Sequence, residues 1–398
     1  MNTNSTRTSW AVVLILSGAG VLSALQVGKV PPLIPDIRSE LGITLVHAGW
    51  VLSIFNIIGL LLGACAGAIA DTLGHRNLLV TGLVLQALGS MTGAFTPSFE
   101  WLLLTRFIEG MGFLSVIVST PTLIFQAVNT KDTKVALSIW TCYLPAGACL
   151  MMLMIPILLK VFTWRGIWQV NALLILLYIP LIIWVTRKLS RFTTPLALNI
   201  SSVLRNVMTT LCAPGPLLLM LLFFTYALQW LAVMGFLPTL LLEHHQFSKH
   251  SASALTGIVV GCNIIGNLAG GWLLNRGFRR WVLMAAASGV MGASALCIYS
   301  PDSGLLVNYG GCLLFSTIGG LIPASALGAA PIFAPNQNLV STTVGMIIQG
   351  GQSGQVFGPT LLAWIVSTTG TWASGGGFLA AVAGFGIAFS VLISRLTP

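Results

Sequence analysis

Residues 67–77 read GAIADTLGHRN, and they break two long apolar runs with an acid, a histidine, an arginine and two glycines. A chain with only 18 Lys and Arg and 8 Asp and Glu in 398 residues has few charges to place. Soluble domains carry roughly 25% charged residues; this one carries 7%, with a mean hydropathy of +0.94. The medium around most of it is therefore lipid. In such a chain charges collect where helices leave the bilayer. GAIADTLGHRN reads as the turn between two membrane-crossing helices.

Working outward from that turn, apolar segments recur at the length of about 20 residues that a crossing needs. They cover approximately 10–30, 46–70, 78–95, 102–125, 136–159, 167–185, 217–237, 254–274, 281–298, 306–327, 342–366 and 376–393. The first is expected to stop at Pro31-Pro32. The N-terminus has one arginine and no cleavage-site pattern, so the first run reads as a retained helix. The net charge of +10 is spread singly or in small clusters between apolar runs, which argues against a nucleic-acid partner. The seven cysteines form no CxxC pair and read as small apolar packing residues.

Twelve crossings put both termini on one face, together with Arg7, Arg76, Lys131, Lys134, Arg187, Lys188, Arg191, Arg205, Arg276, Arg279, Arg280 and Arg395. The other face receives only Lys29, Arg38, Lys160, Arg165 and Lys249, so the termini are expected in the cytoplasm. The longest connector, 187–216, separates a first bundle (1–186) from a second (217–398). The turn GWLLNRGFRR (271–280) repeats the opening pattern 204 positions on, Gly271, Asn275 and Arg280 answering Gly67, Asp71 and Arg76. The expected fold is an all-α membrane protein of twelve transmembrane helices, two six-helix bundles related by pseudo-twofold symmetry. A solute site between two rocking halves suits that layout.

Within the opening stretch, Gly67 would let helix ends approach and Gly74 would permit a tight turn. Asp71 could face the positive N-terminus of the next helix, and Arg76 could pair with an acid or a carbonyl. A plain tight loop and a gating contact both fit these residues; Asn275 and Arg280 stand in the same place in the second half. Gly67, Asp71, Gly74 and Arg76 resemble the signature loop of the major facilitator superfamily, with Thr72 and His75 replacing two of its basic residues. RFIEGMG (106–112) is similar to that superfamily's arginine and glycines in the fourth helix, and Thr163-Trp164-Arg165 to a feature after the fifth. The resemblance covers essentially the whole chain. It implies a monomeric secondary transporter in the cytoplasmic membrane, needing no cofactor. Span five, WTCYLPAGACLMMLM (140–154), lacks the Gly-Pro pair of the proton-coupled drug antiporters, whereas GGQSGQVFGPTL (350–361) places one in span eleven. That arrangement is more similar to the cyanate and nitroimidazole transporter group.

Ionisable residues inside a span are functional candidates by default. Arg106 and Glu109, three apart on one helix face, suit either a brace or a proton-coupling carboxylate. Lys29, near the outer end of span one, either snorkels to the interface or attracts an anion from the cavity. Span one has no carboxylate, a position where many drug exporters resemble one another in having one, which favours a neutral or anionic cargo. Polar and polar-edged aromatic side chains mark the candidate cavity walls: Gln26, Asn56, Trp140, Tyr143, Trp230, Asn263, Asn267, Gln349, Gln352 and Gln355, with Asn171 also in a span. Pro145 with Gly147, and the 350–359 region, are expected places to bend; Gly261 and Gly266 are weaker ones, and Pro121, Pro156 and Pro180 read as helix-end or packing features. His244, His245 and His250 lack a convincing metal-ligand set, and no phosphate loop is present. No enzyme chemistry is supported. The reading is a secondary transporter for a small organic anion or polar solute, with a proton as candidate coupling ion. Its alternative is proton-driven efflux of a drug or of a metabolite such as a metal chelator.

Overall fold

The computed structural model describes residues 8–129, 131–187, 189, 200–301 and 303–396. Arg7, Lys188 and Arg191 of the charge pattern, and the side chains of Asp71 and Lys134, lie outside what is described. Every described regular element is helical, as expected where lipid offers the backbone no hydrogen-bond partner. In chain order the first are α1 (Trp10–Gly28), α2 (Val30–Leu41), α3 (Leu45–Ser53), α4 (Ile57–Leu62), α5 (Ala66–Leu73) and α6 (His75–Gly93). There follow α7 (Phe99–Ala127), α8 (Thr133–Thr141), α9 (Tyr143–Leu158), α10 (Trp164–Thr186) and α11 (Ile200–Leu211). The remainder are α12 (Pro214–His245), α13 (Lys249–Asn275), α14 (Arg280–Ile298), α15 (Leu305–Gly319), α16 (Leu321–Leu327), α17 (Ala330–Phe333), α18 (Val340–Thr369) and α19 (Ala373–Ser394). Among the described residues nine helical stretches are long and apolar enough to cross a membrane, and the bent pair 135–141 with 143–158 would add a tenth. The segments at α6 and α18 are helical where crossings were expected but fall outside that set.

Three expectations about helix ends and bends are corrected. The first helix does not stop at Pro31-Pro32: α1 and α2 join through Lys29, which keeps right-handed helical angles, into one stretch, Trp10–Leu41. Both prolines lie in the first turn of α2, where a missing N–H is least costly. The fifth span does not bend at Pro145–Gly147 but breaks before it, at Cys142, by 40°. Proline 145 cannot donate to the carbonyl one turn earlier, so the discontinuity falls upstream of it. The 350–359 region is not a break at all, since α18 runs through it with Pro359 inside. Its glycines serve packing instead: Gly350, Gly354 and Gly358 lie against the carbonyls of Met220, Phe224 and Leu228 on α12. Pro121, Pro156 and Pro180 likewise sit inside α7, α9 and α10.

Helices from residues 10–186 meet those from 214–394 along α9–α13, α3 and α4 with α18, and α2 with α12. The second span is itself interrupted, by a 3-10 turn at Ile54–Asn56 and a turn at 63–65. Gln349 of α18 serves that second break. Its amide donates to the Leu60 carbonyl at 2.6 Å and accepts from the Ala64 N–H at 3.2 Å. Further along the seam the Ser53 and Thr360 hydroxyls pair at 3.0 Å.

Gly266 on α13 is pressed against the Thr317 carbonyl of α15, so a Cβ there would collide with backbone, whereas one at Gly271 would meet open space. Gly266→Val is therefore expected to cost about 1–3 kcal/mol of stability and to lower the unfolding temperature in detergent. Gly271→Ala, inside α13 with room for the methyl, is expected to hold that temperature or raise it slightly, which differential scanning fluorimetry would check.

Candidate functional site

The continuation of the first helix to Leu41 decides where Lys29 lies. A lysine at a helix end would reach the interface; Lys29 is instead in the middle of a long helix and is fully buried. Its Nζ donates to Glu109 Oε1 at 2.7 Å, to Ser90 Oγ at 2.9 Å and to Gln26 Oε1, and lies 4.2 Å from the centroid of the Trp168 ring. Ser90 in turn donates to the Trp168 carbonyl at 2.8 Å. Lys29, at the outer end of span one, and the Arg106–Glu109 pair, in the outer half of span four, thus form one cluster.

Arg106 is held differently. Its Nη1 donates to Glu109 Oε2 and, at 3.2 Å, to the Gln26 carbonyl, while Nε reaches the Val51 carbonyl at 3.4 Å. The guanidinium lies 4.3 Å over the Phe55 ring. One carboxylate therefore serves two cations, and all three side chains are withdrawn from solvent. Fully ionised, the trio carries a surplus positive charge in a low-dielectric interior, where an uncompensated charge is costly. Beside it, Gln26 Nε2 is buried with no hydrogen-bond partner among the described residues.

Of the sequence candidates, Gln26, Lys29, Arg106 and Glu109 come together here. Ser90 and Trp168 complete the cluster and carry no sequence signal: a serine in an apolar helix and one of 12 tryptophans look like packing residues until the fold places them. Trp140 and Tyr143 stack at 4.5 Å between ring centroids, across the break at Cys142. Asn263 donates to the Ser316 carbonyl at 2.9 Å and the Tyr226 hydroxyl at 3.3 Å, and Asn267 donates to Asn263 Oδ1 at 2.8 Å. Trp230 is buried, its Nε1 without a partner among the described residues. Gln352 packs against Gly59; Asn56 is buried and Gln355 half-buried. Asn171 donates back to the Ile167 carbonyl of its own helix at 2.9 Å. Among the described residues no group of three His, Cys, Asp or Glu is placed to hold a metal ion.

At the opening stretch, Gly74 has φ +81° between α5 and α6, a conformation suited to glycine. Gly67 corrects the expectation of a close approach, because a Cβ there would meet nothing within 4 Å: the helix ends pass farther apart at this point. Among the described residues, Arg76 Nε donates to the Thr186 hydroxyl at the end of α10, at 3.2 Å. Arg280 donates to the Ser325 carbonyl at 3.4 Å, and Asn275 is exposed. The opposite end of the molecule carries ion pairs across the seam that sequence reading did not anticipate: Arg38–Glu243 at 3.7 Å, and Lys249 with Asp36. Glu40 binds Arg165 at 2.8 Å and also Trp164.

The family model of the Major Facilitator Superfamily matches residues 16–359. The 3-(3-hydroxy-phenyl)propionate transporter of Escherichia coli is 27% identical over 360 residues, covering 88% of this chain and 85% of that protein. The lincomycin resistance protein of Streptomyces lincolnensis is 26% identical over 190 residues, 46% of this chain and 38% of that one. Among solved structures, a bacterial homolog of the human lysosomal transporter Spinster, inward-facing and unoccupied, overlays with a TM-score of 0.77 at 14% identity, covering 97% and 96% of the two chains.

The charge count orders two substitutions. Glu109→Gln leaves two buried cations without a counter-charge and is expected to cost about 3–5 kcal/mol, the range for removing one partner of a buried pair. Lys29→Gln leaves Arg106 and Glu109 matched and is expected to cost clearly less. Unfolding temperatures of the two purified variants in detergent would show the order.

Proposed function

Because this chain belongs to the Major Facilitator Superfamily, and is thus a secondary-active membrane transporter rather than an enzyme, we propose that its cargo is a small organic anion. We propose further that a proton is the coupling ion and that transport proceeds by alternating access across the cytoplasmic membrane. The observation that carries this reading is the buried trio of Lys29, Arg106 and Glu109, two cations to one acid. A site with surplus positive charge in a water-poor interior attracts an anion and repels a cation. The carboxylate named in the Escherichia coli relative is in keeping with it.

In this reading twelve crossings form two six-helix halves, 1–186 and 217–398, joined by 187–216, with both termini cytoplasmic and the chain a monomer. Glu109 takes the coupling proton. The loop of Gly67, Asp71, Gly74 and Arg76, with Asn275 and Arg280 opposite, gates the cytoplasmic end. The polar residues of the candidate cavity line the path between the halves. The likeness of spans five and eleven to the cyanate and nitroimidazole transporter group stays a finer part of the proposal, for which the named relatives offer no support.

A second reading is proton-driven efflux of a drug or of a metabolite such as a metal chelator. Resistance and multidrug efflux proteins stand among the relatives, and the comparisons support this reading better than the first. Proteoliposomes containing a pH-sensitive dye decide between the two. The anion reading expects 3-(3-hydroxyphenyl)propionate to acidify the lumen faster than in empty liposomes, with the excess lost in Glu109→Gln. Proton release driven by methyl viologen from acid-loaded vesicles, with no response to the carboxylate, would establish efflux instead.

A further inference from the structure

We infer that Lys29, and not Arg106, takes the carboxylate of the cargo, and that Glu109 occupies that place here as an internal stand-in. The inference rests on the organic-anion reading and adds to it the anchoring atom and the class of ligand, a compact monocarboxylate. The two cations are held by different kinds of partner. Among the described residues, the hydrogen bonds of Arg106 apart from Glu109 go to main-chain carbonyls, Gln26 at 3.2 Å and Val51 at 3.4 Å, and its plane rests on Phe55. Releasing those partners means moving helix backbone. Among the described residues the hydrogen bonds of Lys29 go to the side chains of Gln26, Ser90 and Glu109, and its ammonium lies over the Trp168 ring. Side-chain rotations can withdraw all of these.

Charge separates them too. Arg106 and Glu109 alone are matched, bonded three residues apart on one helix. With Lys29 protonated the surplus belongs to it, and one incoming carboxylate makes the count even. Gln26 offers its Oε1 to Lys29, which leaves Nε2 beside the ammonium, buried and without an acceptor among the described residues. A carboxylate set against Lys29 could use that N–H with its second oxygen. Buried donors are rarely left unmade, because each costs the desolvation of the group. Glu109 supplies one oxygen to each cation and does not meet this donor. A cargo carboxylate displaces Glu109 from Lys29 only, leaving it on Arg106.

Two variants test the assignment, using 3-(3-hydroxyphenyl)propionate and its primary carboxamide, which match in shape and differ in charge. The parent protein is expected to take up the acid at least tenfold faster than the amide, an order of discrimination a charge-matched site supports. Lys29→Gln is expected to shrink that preference to about twofold by losing the acid, and Lys29→Arg to keep it. Glu109→Gln removes the internal competitor. Adding the acid should therefore raise its unfolding temperature more than the parent's, because the ligand supplies the missing charge. Retention of the acid preference in Lys29→Gln overturns the assignment, as does equal loss of both compounds. If Lys29→Gln fails to fold, the thermal shift decides, and a shift in Glu109→Gln no larger than the parent's overturns it. A parent that does not prefer the acid at all refutes the organic-anion reading itself, a result distinguishable from failure of the Lys29 assignment.

Discussion

A carboxylate inside a lipid-facing bundle has no water to solvate it, and Glu109 is answered by two cations instead. Meeting that requirement fixes the arrangement of half the molecule. Lys29 and Gln26 come from the first long helix, Val51 and Phe55 from α3 and the 3-10 turn after it. Ser90 comes from α6, Arg106 and Glu109 from α7, and Trp168 from α10. Helices so close need small residues between them. Gly89 lies against the Glu109 side chain, Gly93 against Trp168, and Gly110 against the Phe55 carbonyl. The glycines that in sequence look like flexibility are the spacing that allows the charges to touch.

The contacts between the chain's two halves are of another kind. Among the described residues the polar ones are the partly exposed pairs Arg38–Glu243 and Lys249–Asp36 at one end, amide or hydroxyl contacts along the seam with α18, and the Ser253 hydroxyl on the Met152 carbonyl at 2.6 Å, where α9 packs on α13. Exposed ion pairs contribute about 0–1 kcal/mol each, and a hydroxyl pair exchanges readily for water. Gln349 is a notable case, since it satisfies a backbone break in the opposite half that would otherwise lack partners. A strong, dry charge cluster therefore lies wholly among helices of the first half, while replaceable contacts join that half to the second. That contrast suits a molecule whose halves move as bodies.

The membrane class and the positions of most membrane-length helices were legible in hydropathy and charge spacing, because lipid imposes both directly. Proline positions were harder, since a proline's effect depends on which turn it occupies. Pro31 and Pro32 looked like a stop and lie harmlessly in a first turn; Pro145 moved the break upstream of itself. That difference then hid the site. With the first helix ending near residue 30, Lys29 read as an interface residue, although the topology already set the Arg106–Glu109 end of span four toward the same face. Ser90 and Trp168 were illegible for a different reason: their role is to touch Lys29, and contacts across 61 and 139 positions of chain leave no local pattern. The Arg106–Glu109 pair was visible because both lie on one turn.

The count of one acid to two bases also constrains the order of events at the proposed site. A proton placed on Glu109 while the cavity is empty would leave two unanswered cations, the costliest state of the cluster. The same proton placed after an anion has bound at Lys29 leaves one surplus charge, no more than the cluster carries when empty. Anion binding therefore eases protonation of Glu109. By linkage protonation tightens anion binding to the same degree, because a coupling free energy between two sites is reciprocal. Such mutual reinforcement couples the two ligands in one direction of travel. It arises because the proton and the anion bring opposite charges to one dry cluster, and the surplus cation at Lys29 sets which ligand the empty site takes first.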